Sequence, residues 1–391
     1  MRPPHRLLIL TLLAPFTLAP ADPPPTPPPA PLHRTSGRAV TGHYIVTLRQ
    51  GASPRTLTAR LGVTPDTVYQ HALLGFAATL TPAQLDTVRR SPDVRSVEED
   101  AVLRQSAAAP AASWGLDRVD QRQLPLDGQF TVAGSGEGAT AYVIDTGIDY
   151  AHPEFGGRAR QGVDLVDPAG DGSDCLAGSG HGTHVAGIIG GGEHGIARKV
   201  SLVSVRVLDC EGTTSASRFV AGLDWVAQHA GPASVLNASL NGPYSAATNA
   251  SVAAVAARGV PPVVSAGNAQ PAAAPTDACA NSPGSAPGAV VVGATDRNDR
   301  MTSFSNWGTC LRLLAPGLDI VSARAGGGDL TMSGTSQAAP HVTGVAALYK
   351  AAHPDASAQA VTEWLEGQAT PGVLTGLRDG TPDRLLFTGG A

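Results

Sequence analysis

Three short segments carry side chains that together could run an acyl-transfer reaction. Val143-Ile144-Asp145-Thr146-Gly147 puts a carboxylate directly after an apolar run. His181-Gly182-Thr183-His184-Val185-Ala186-Gly187 puts an imidazole at the head of a small-residue segment, and Gly334-Thr335-Ser336-Gln337-Ala338-Ala339-Pro340 does the same for a hydroxyl. A serine is a weak nucleophile until a base takes its proton, and the base needs a buried carboxylate to fix its tautomer and stabilise the imidazolium. Asp145, His181 and Ser336 supply these groups in the chain order Asp, His, Ser, one of the orders in which this constellation occurs. Each segment alone has a plainer reading: a turn after a strand, a metal-binding histidine pair, a capped helix start. The HGTH segment lacks the HExxH spacing and glutamate of a zinc helix. A single DTG does not supply the two carboxylates of an aspartic protease, and no GxSxG elbow of a lipase or esterase occurs.

The elements that must position these groups follow from the pattern around them. Ala141 to Ile144, Leu202 to Val207, Val235 to Ala238, Val263 to Ala266 and Val290 to Gly293 are short apolar, β-branched runs, and helical stretches such as Phe219 to Gln228 and Ser251 to Arg258 lie between them. Repeated β-α-β order predicts an α/β fold, a mostly parallel sheet with helices on both faces. In such sheets chemistry sits at the carboxyl ends of the strands, where Asp145, Ser239 and Asn268 fall. Upstream lies a different texture. His43 to Leu48 alternates like a strand, Pro54 to Leu61 reads as a helix capped by Ser53, and Ala72 to Leu80 is extended. Thr81 caps a helix running to about Arg90, and Val94 to Val97 forms a last strand before an Ala/Pro-rich tail, Gln105 to Ser113. That is a small α+β module of about 65 residues, near the lower limit for folding alone.

The N-terminus reads as an address. Arg2, His5 and Arg6 precede an apolar run from Leu7 to Ala19 and an Ala19-Pro20-Ala21 cleavage site, as in a secretory signal peptide. The run is too short to span a membrane, which takes about 20 residues. Residues 22–39 form a proline-rich spacer expected to stay extended without packing. Export makes two disulfides the natural reading of Cys175, Cys210, Cys279 and Cys310, with three connectivities open. Of 391 residues only 15% are charged, and lysine occurs only at Lys199 and Lys350, so nothing tracks a phosphate backbone and no nucleic-acid partner is expected. Residues 1–106 carry 11 basic and 7 acidic side chains and residues 107–391 carry 16 and 25, so a cationic front precedes an anionic back.

Taken together, the motifs resemble those of the subtilisin-like serine proteases, in the branch of proteinase K and aqualysin. The resemblance implies a secreted endopeptidase in which Asp145, His181 and Ser336 are the triad and Asn268, in Ser265-Ala266-Gly267-Asn268, donates to the oxyanion. It implies that a protein or peptide substrate adds as a strand between two edges, one containing Gly212, Thr213 and Thr214, the other Ser239, Leu240 and Asn241. Ser239, Leu240, Asn241, Ser265, Ala266 and Gly267 would wall the pocket for the residue before the scissile bond. His184 is expected to pack rather than react. The cysteine spacings match the aqualysin pattern, so the resemblance implies the sequential pairs Cys175 with Cys210 and Cys279 with Cys310. Residues 40–106 resemble an inhibitor-type propeptide, the chain's own intramolecular partner, self-cleaved near Gln105 to Ala107, leaving residues 107–391 as the peptidase. A monomer without a membrane partner is expected.

The sequence departs from that family in several places. Gln337 stands where methionine usually follows the nucleophile, so slow inactivation by peroxide is expected. Asn241 and Thr214 stand where glycines are usual and add side chains beside the substrate. One calcium site of proteinase K aligns with Pro287, Ala289 and Arg312, and a guanidinium cannot ligate calcium, so that site is expected to be absent. Asp117, Asp120, Gln121 and Asp127 resemble a second calcium site of some relatives, with the hard oxygens calcium prefers. A non-catalytic relative that only binds peptides is the competing reading.

Overall fold

The computed structural model describes residues 28–35, 39–105, 113–176, 180–269 and 273–389, with the backbone alone at 103–105. The expected signal peptide and the residues around the expected self-cleavage point from 106 onward lie outside these.

The small N-terminal domain comprises β1 (Leu32–His33), β2 (Ala39–Leu48), α1 (Pro54–Leu61), β3 (Thr67–Tyr69), β4 (Gly75–Thr79), α2 (Pro82–Arg89) and β5 (Val94–Gln105). Both helices start as the sequence dictates. Ser53 accepts from Thr56 N, and Thr81 and Gln84 form a reciprocal capping box. Two expectations are corrected. The end of the spacer packs: Ala30 is buried, its N–H donates to Arg89 O, and β1 pairs in parallel with β5. The last strand does not stop at Val97 but runs through Glu98-Glu99-Asp100 to Gln105, because Glu98 and Asp100 find partners in the large domain while Glu99 pairs with Arg34.

The large domain continues with α3 (Gly115–Val119), β6 (Thr140–Asp145), β7 (Ala159–Asp164), α4 (His181–Gly190), β8 (Ser201–Arg206), β9 (Thr213–Ser215) and α5 (Ala216–His229). It then adds β10 (Ser234–Ala238), β11 (Leu240–Pro243), α6 (Ala246–Ala257), β12 (Pro262–Ser265), β13 (Asn281–Ser282), β14 (Val290–Thr295) and β15 (Leu311–Pro316). The hairpin β16 (Ile320–Ala323) and β17 (Asp329–Met332), helices α7 (Thr335–Ala352) and α8 (Ala358–Gln368), and strands β18 (Thr370–Pro371) and β19 (Arg384–Leu385) complete it. Nine strands form one sheet in the order β18-β19-β15-β14-β12-β10-β6-β8-β7, parallel throughout except at β18–β19. Its central strands are buried on both faces, which is why β10, β12 and β14 read as continuous apolar runs.

Two features of the core bear on the site. A Cβ on Gly182, in the first turn of α4, would lie 2.1 Å from Gly147 O, so only glycine lets the helix start press against the turn after β6. At the far end of α7 the buried ammonium of Lys350 donates to Gly259 O, Pro354 O and Ala356 O at 3.2, 2.7 and 2.8 Å.

Candidate active site

Asp145 ends β6 and His181 begins α4, and both are wholly buried. His181 Nδ1 lies 2.8 and 3.0 Å from the two Asp145 oxygens, and Thr146 N donates to Oδ1 at 2.8 Å. With Nδ1 turned to the carboxylate, Nε2 is left as the base, and it is buried without a partner. Burial alone would lower the imidazole's pKa; the Asp145 charge and hydrogen bond, with Asp174 adding, outweigh it and hold the pKa above its ordinary value.

Ser336 sits in the first turn of α7, where N–H groups and the helix dipole favour negative charge. Pro340, four residues on, has no N–H to donate to Ser336 O, and the Ser239 hydroxyl fills that gap at 2.9 Å. Ser336 Oγ in turn donates to Ser239 O at 3.2 Å rather than to His181. The Ser336 hydroxyl is therefore committed to Ser239 O, while His181 Nε2 is left open.

Asn268 is oriented by its neighbours. Its Oδ1 accepts from Thr335 N at 3.0 Å and Thr335 Oγ1 at 2.9 Å, which turns Nδ2 the other way, buried and unpaired. An unpaired donor anchored one residue from a nucleophile is a group waiting for an acceptor. Gly267 donates to Thr335 Oγ1 at 3.1 Å and adopts φ +89°, and a Cβ there would lie 2.0 Å from Asn241 Nδ2. The Asn241 amide thus lies directly against Gly267, beside Ser265 and Ala266, which are buried.

The two expected substrate edges face each other across β5. Val102, Leu103 and Arg104 pair antiparallel with Ser215, Thr214 and Thr213 of β9. On the other side Arg104 and Gln105 pair antiparallel with Asn241 and Leu240 of β11. Gly212 lies in the turn that feeds β9, at φ +71°, and makes no pairing with β5. The disulfides are Cys175–Cys210 and Cys279–Cys310, with Cα separations of 5.5 and 5.4 Å. His184 packs as expected: its Nε2 meets Ile320 O and Leu330 O at 3.1 and 3.0 Å, and burial with the neighbouring His181 lowers its pKa to about 3. Gln337 Nε2 lies 4.0 Å from Met332 Sδ, so a thioether from another element sits against the Gln337 amide.

Asp117 of α3 and Asp120, Gln121 and Asp127 of the loop that follows gather together, but their oxygens largely hold that loop in place. Asp117 accepts from Asp127 N and Gly128 N, Gln121 from Asp127 N, and Asp120 from Thr131 N. Among the described residues no group of three or more His, Cys, Asp or Glu is arranged to hold a metal. One acceptor is left over: Asp120 Oδ1 is buried without a partner, and burial, with Asp127 and Asp117 adding like charge, pushes that carboxyl's pKa up. Its donors are of the type calcium takes. Arg312, at the other aligned site, pairs with Glu366 at 3.4 Å.

Three carboxylates outside the motifs escaped sequence reasoning. Asp174 is buried near Asp145 and His181. Glu98 accepts from Ser245 Oγ and Ala247 N at the start of α6, and Asp100 from Ser217 N and Oγ at the start of α5.

Comparison with known proteins agrees with this geometry. Residues 136–388 match the model of the subtilase family, and residues 43–106 match that of peptidase inhibitor I9. The chain belongs to the subtilase family. It is 45% identical over 341 residues to an extracellular serine proteinase of Thermus sp. (strain Rt41A), covering 87% of this chain and 81% of that one. It is also 45% identical over 329 residues, 83% of this chain, to alkaline serine exoprotease A of Vibrio alginolyticus, of whose length it spans 60%. A solved cold-adapted subtilisin-like serine proteinase is similar at 47% identity and a TM-score of 0.67, covering 71% of this subtilase and 98% of that chain. Among the described residues no helix is long and apolar enough to cross a membrane.

Proposed function

We propose that this subtilase is the precursor of a secreted, monomeric serine endopeptidase that hydrolyses peptide bonds of proteins through an acyl-enzyme, and that its residues 40–106 are its own inhibitor. The observation that carries the reading is β5. The tail of the inhibitor domain completes a three-stranded arrangement between β9 and β11, and that register leads toward the nucleophile. A substrate strand bound the same way gains main-chain hydrogen bonds from both edges and side-chain selection from the walls. Asn241 pairs with Arg104 and Leu240 with Gln105, and processing is proposed just beyond that pairing, between Ser106 and Ala107.

In the reaction, Ser336 Oγ leaves Ser239 O, gives its proton to His181 Nε2 and attacks the carbonyl carbon. Asp145 holds the resulting imidazolium, which later protonates the departing amine. The tetrahedral oxyanion takes hydrogen bonds from Asn268 Nδ2 and the Ser336 N–H, and one such donor is worth about 3–4 kcal/mol in the transition state. Water then repeats the cycle on the acyl-enzyme. A calcium ion on the Asp120 loop is proposed as structural, supported by the unpaired Asp120 Oδ1.

The test is expression of the wild type and Ser336→Ala with intact-mass and N-terminal analysis. Wild type is expected to lose everything before Ala107 and to hydrolyse casein, with labelling by a fluorophosphonate; Ser336→Ala is expected to stay joined and inert. A wild type that behaves like Ser336→Ala would establish the peptide-binding alternative.

A further inference from the structure

Asp174 lies in the loop before α4, five per cent exposed, with both oxygens fully engaged. Its Oδ1 accepts from Thr146 Oγ1 at 2.7 Å and Cys175 N at 2.8 Å. Its Oδ2 accepts from Thr183 Oγ1 at 2.6 Å and Thr183 N at 2.8 Å. Both hydroxyls are themselves acceptors: Gly182 N donates to Thr146 Oγ1 and Asp149 N to Thr183 Oγ1, each at 2.9 Å. With backbone N–H groups on their acceptor sides, the hydroxyl protons point to Asp174. Burial is the largest influence and leaves this carboxyl's pKa above its ordinary value, although the hydrogen bonds from Thr183 and Thr146 pull it down; the geometry of those bonds decides which form fits. A protonated acid would have to donate, and all four partners are donors, so the ionised form is the one this site fits.

The connections span the catalytic pair. Thr146 follows Asp145 and its N–H holds Asp145 Oδ1, while Gly182 and Thr183 follow His181. The chain Thr146–Asp174–Thr183 therefore ties the end of β6 to the first turn of α4. The titratable groups facing His181 are Asp145 from β6, Asp174 from this loop and His184 from its own helix. Ser336 on α7 is neutral, and Arg206 of β8 is committed to Asp164 at 2.9 Å.

We propose that Asp174 is a positioning residue of the reaction: a buried second carboxylate that clips the Asp145 turn to the His181 helix and adds a negative charge facing the imidazolium. The proposal rests on the protease reading above. Its two effects separate in kinetics. The clip sets the geometry of proton transfer and acts on kcat. The charge favours the imidazolium and acts on the acid limb of kcat/KM, which reports the base of the free enzyme.

The experiment measures kcat/KM against pH, per active site counted by fluorophosphonate titration, on enzyme matured from the full chain. Asp174→Asn is expected to lower kcat on the order of 10- to 100-fold with KM little changed, and to move the acid limb toward lower pH by about half a unit or more. Thr183→Val, which keeps the charge, is expected to lower kcat without moving the limb. An Asp174→Asn enzyme whose limb stays in place overturns the electrostatic role. Should that variant fail to mature, Asp174→Glu keeps the charge on an arm that cannot meet all four donors. It is expected to lose kcat at an unchanged limb, and wild-type kcat there overturns the clip. A wild type without turnover would instead defeat the protease reading itself.

Discussion

The large domain closes its core on both faces of a nine-stranded sheet, whereas the small domain keeps one face dry by itself and gives the other to its neighbour. Alternation along β2 and β4 makes this explicit. Val46, Phe76 and Ala78 pack under α1 and α2 with Leu57 and Val88. Ile45 and Ala77, one residue out of phase, join Tyr69, Leu73 and Ala101 in the cluster built on Phe219, Val220 and Leu223 of α5. Polar contacts cross in both directions. Glu98 and Asp100 cap α6 and α5, while Asp224 of α5 accepts the backbone N–H groups of His71 and Ala72, each at 2.6 Å. A sheet face that is complete only against two helices recognises those helices in their folded arrangement.

The sharpest way to break this comparison is to delete residues 28–105 while retaining the leader. Active enzyme is expected to fall to background in a zymogram, because α5 and α6 then fold without that sheet face; full activity would show the domains to be independent. Next in size, Glu98→Ala with Asp100→Ala leaves buried helix N–H groups unpaired, at about 1–3 kcal/mol each. The lag between processing and the onset of peptide hydrolysis should shorten markedly, and an unchanged lag would mean that the apolar face alone holds the domains together. A smaller effect is expected from pH. His43 bridges Asp100 at 2.8 Å and Asp66 at 2.9 Å. Burial opposes its charge, but Asp100 and then Asp66 outweigh that and raise its pKa above 6.5. The folded pKa lies above the unfolded one, so this stabilisation is complete below pH 6.5 and fades as pH rises through the raised value. Release is expected to be severalfold faster at pH 9 than at pH 6, and His43→Gln should flatten the dependence. The smallest effect belongs to the large domain: chelator should lower the melting temperature of the mature enzyme by a few degrees if calcium sits on the Asp120 loop, and an unchanged melting curve would remove the ion.

What the sequence showed of this molecule divides along the same line. The parallel sheet was legible because its strands are buried on both faces and carry their own apolar signature. Asp145, His181 and Ser336 stood out because a carboxylate after a buried strand and polar groups heading small-residue helices are locally unusual. Glu98 and Asp100 were not legible: in sequence they continue as an acidic run, the pattern of a solvated stretch, and only the helix ends of another domain make them interior groups. The same holds for Ala30, buried although it lies in a proline-rich segment. Asp174 lies between two motifs without belonging to either, and its partners Thr146 and Thr183 reveal it only once the strand end and helix start are brought together.

Lys350 closes a different account. Of the two lysines in 391 residues, this one is held in a cage of three carbonyls and is 1% exposed, its pKa lowered by burial. Lys199 is the other, with 61% of its side chain in solvent beside Glu137. Amine-directed reagents therefore meet a single accessible lysine, on the loop before β8 and away from β9 and β11. With the chain's α-amine blocked first, coupling to a support or a dye through Lys199 would give one defined orientation with β9 and β11 left free.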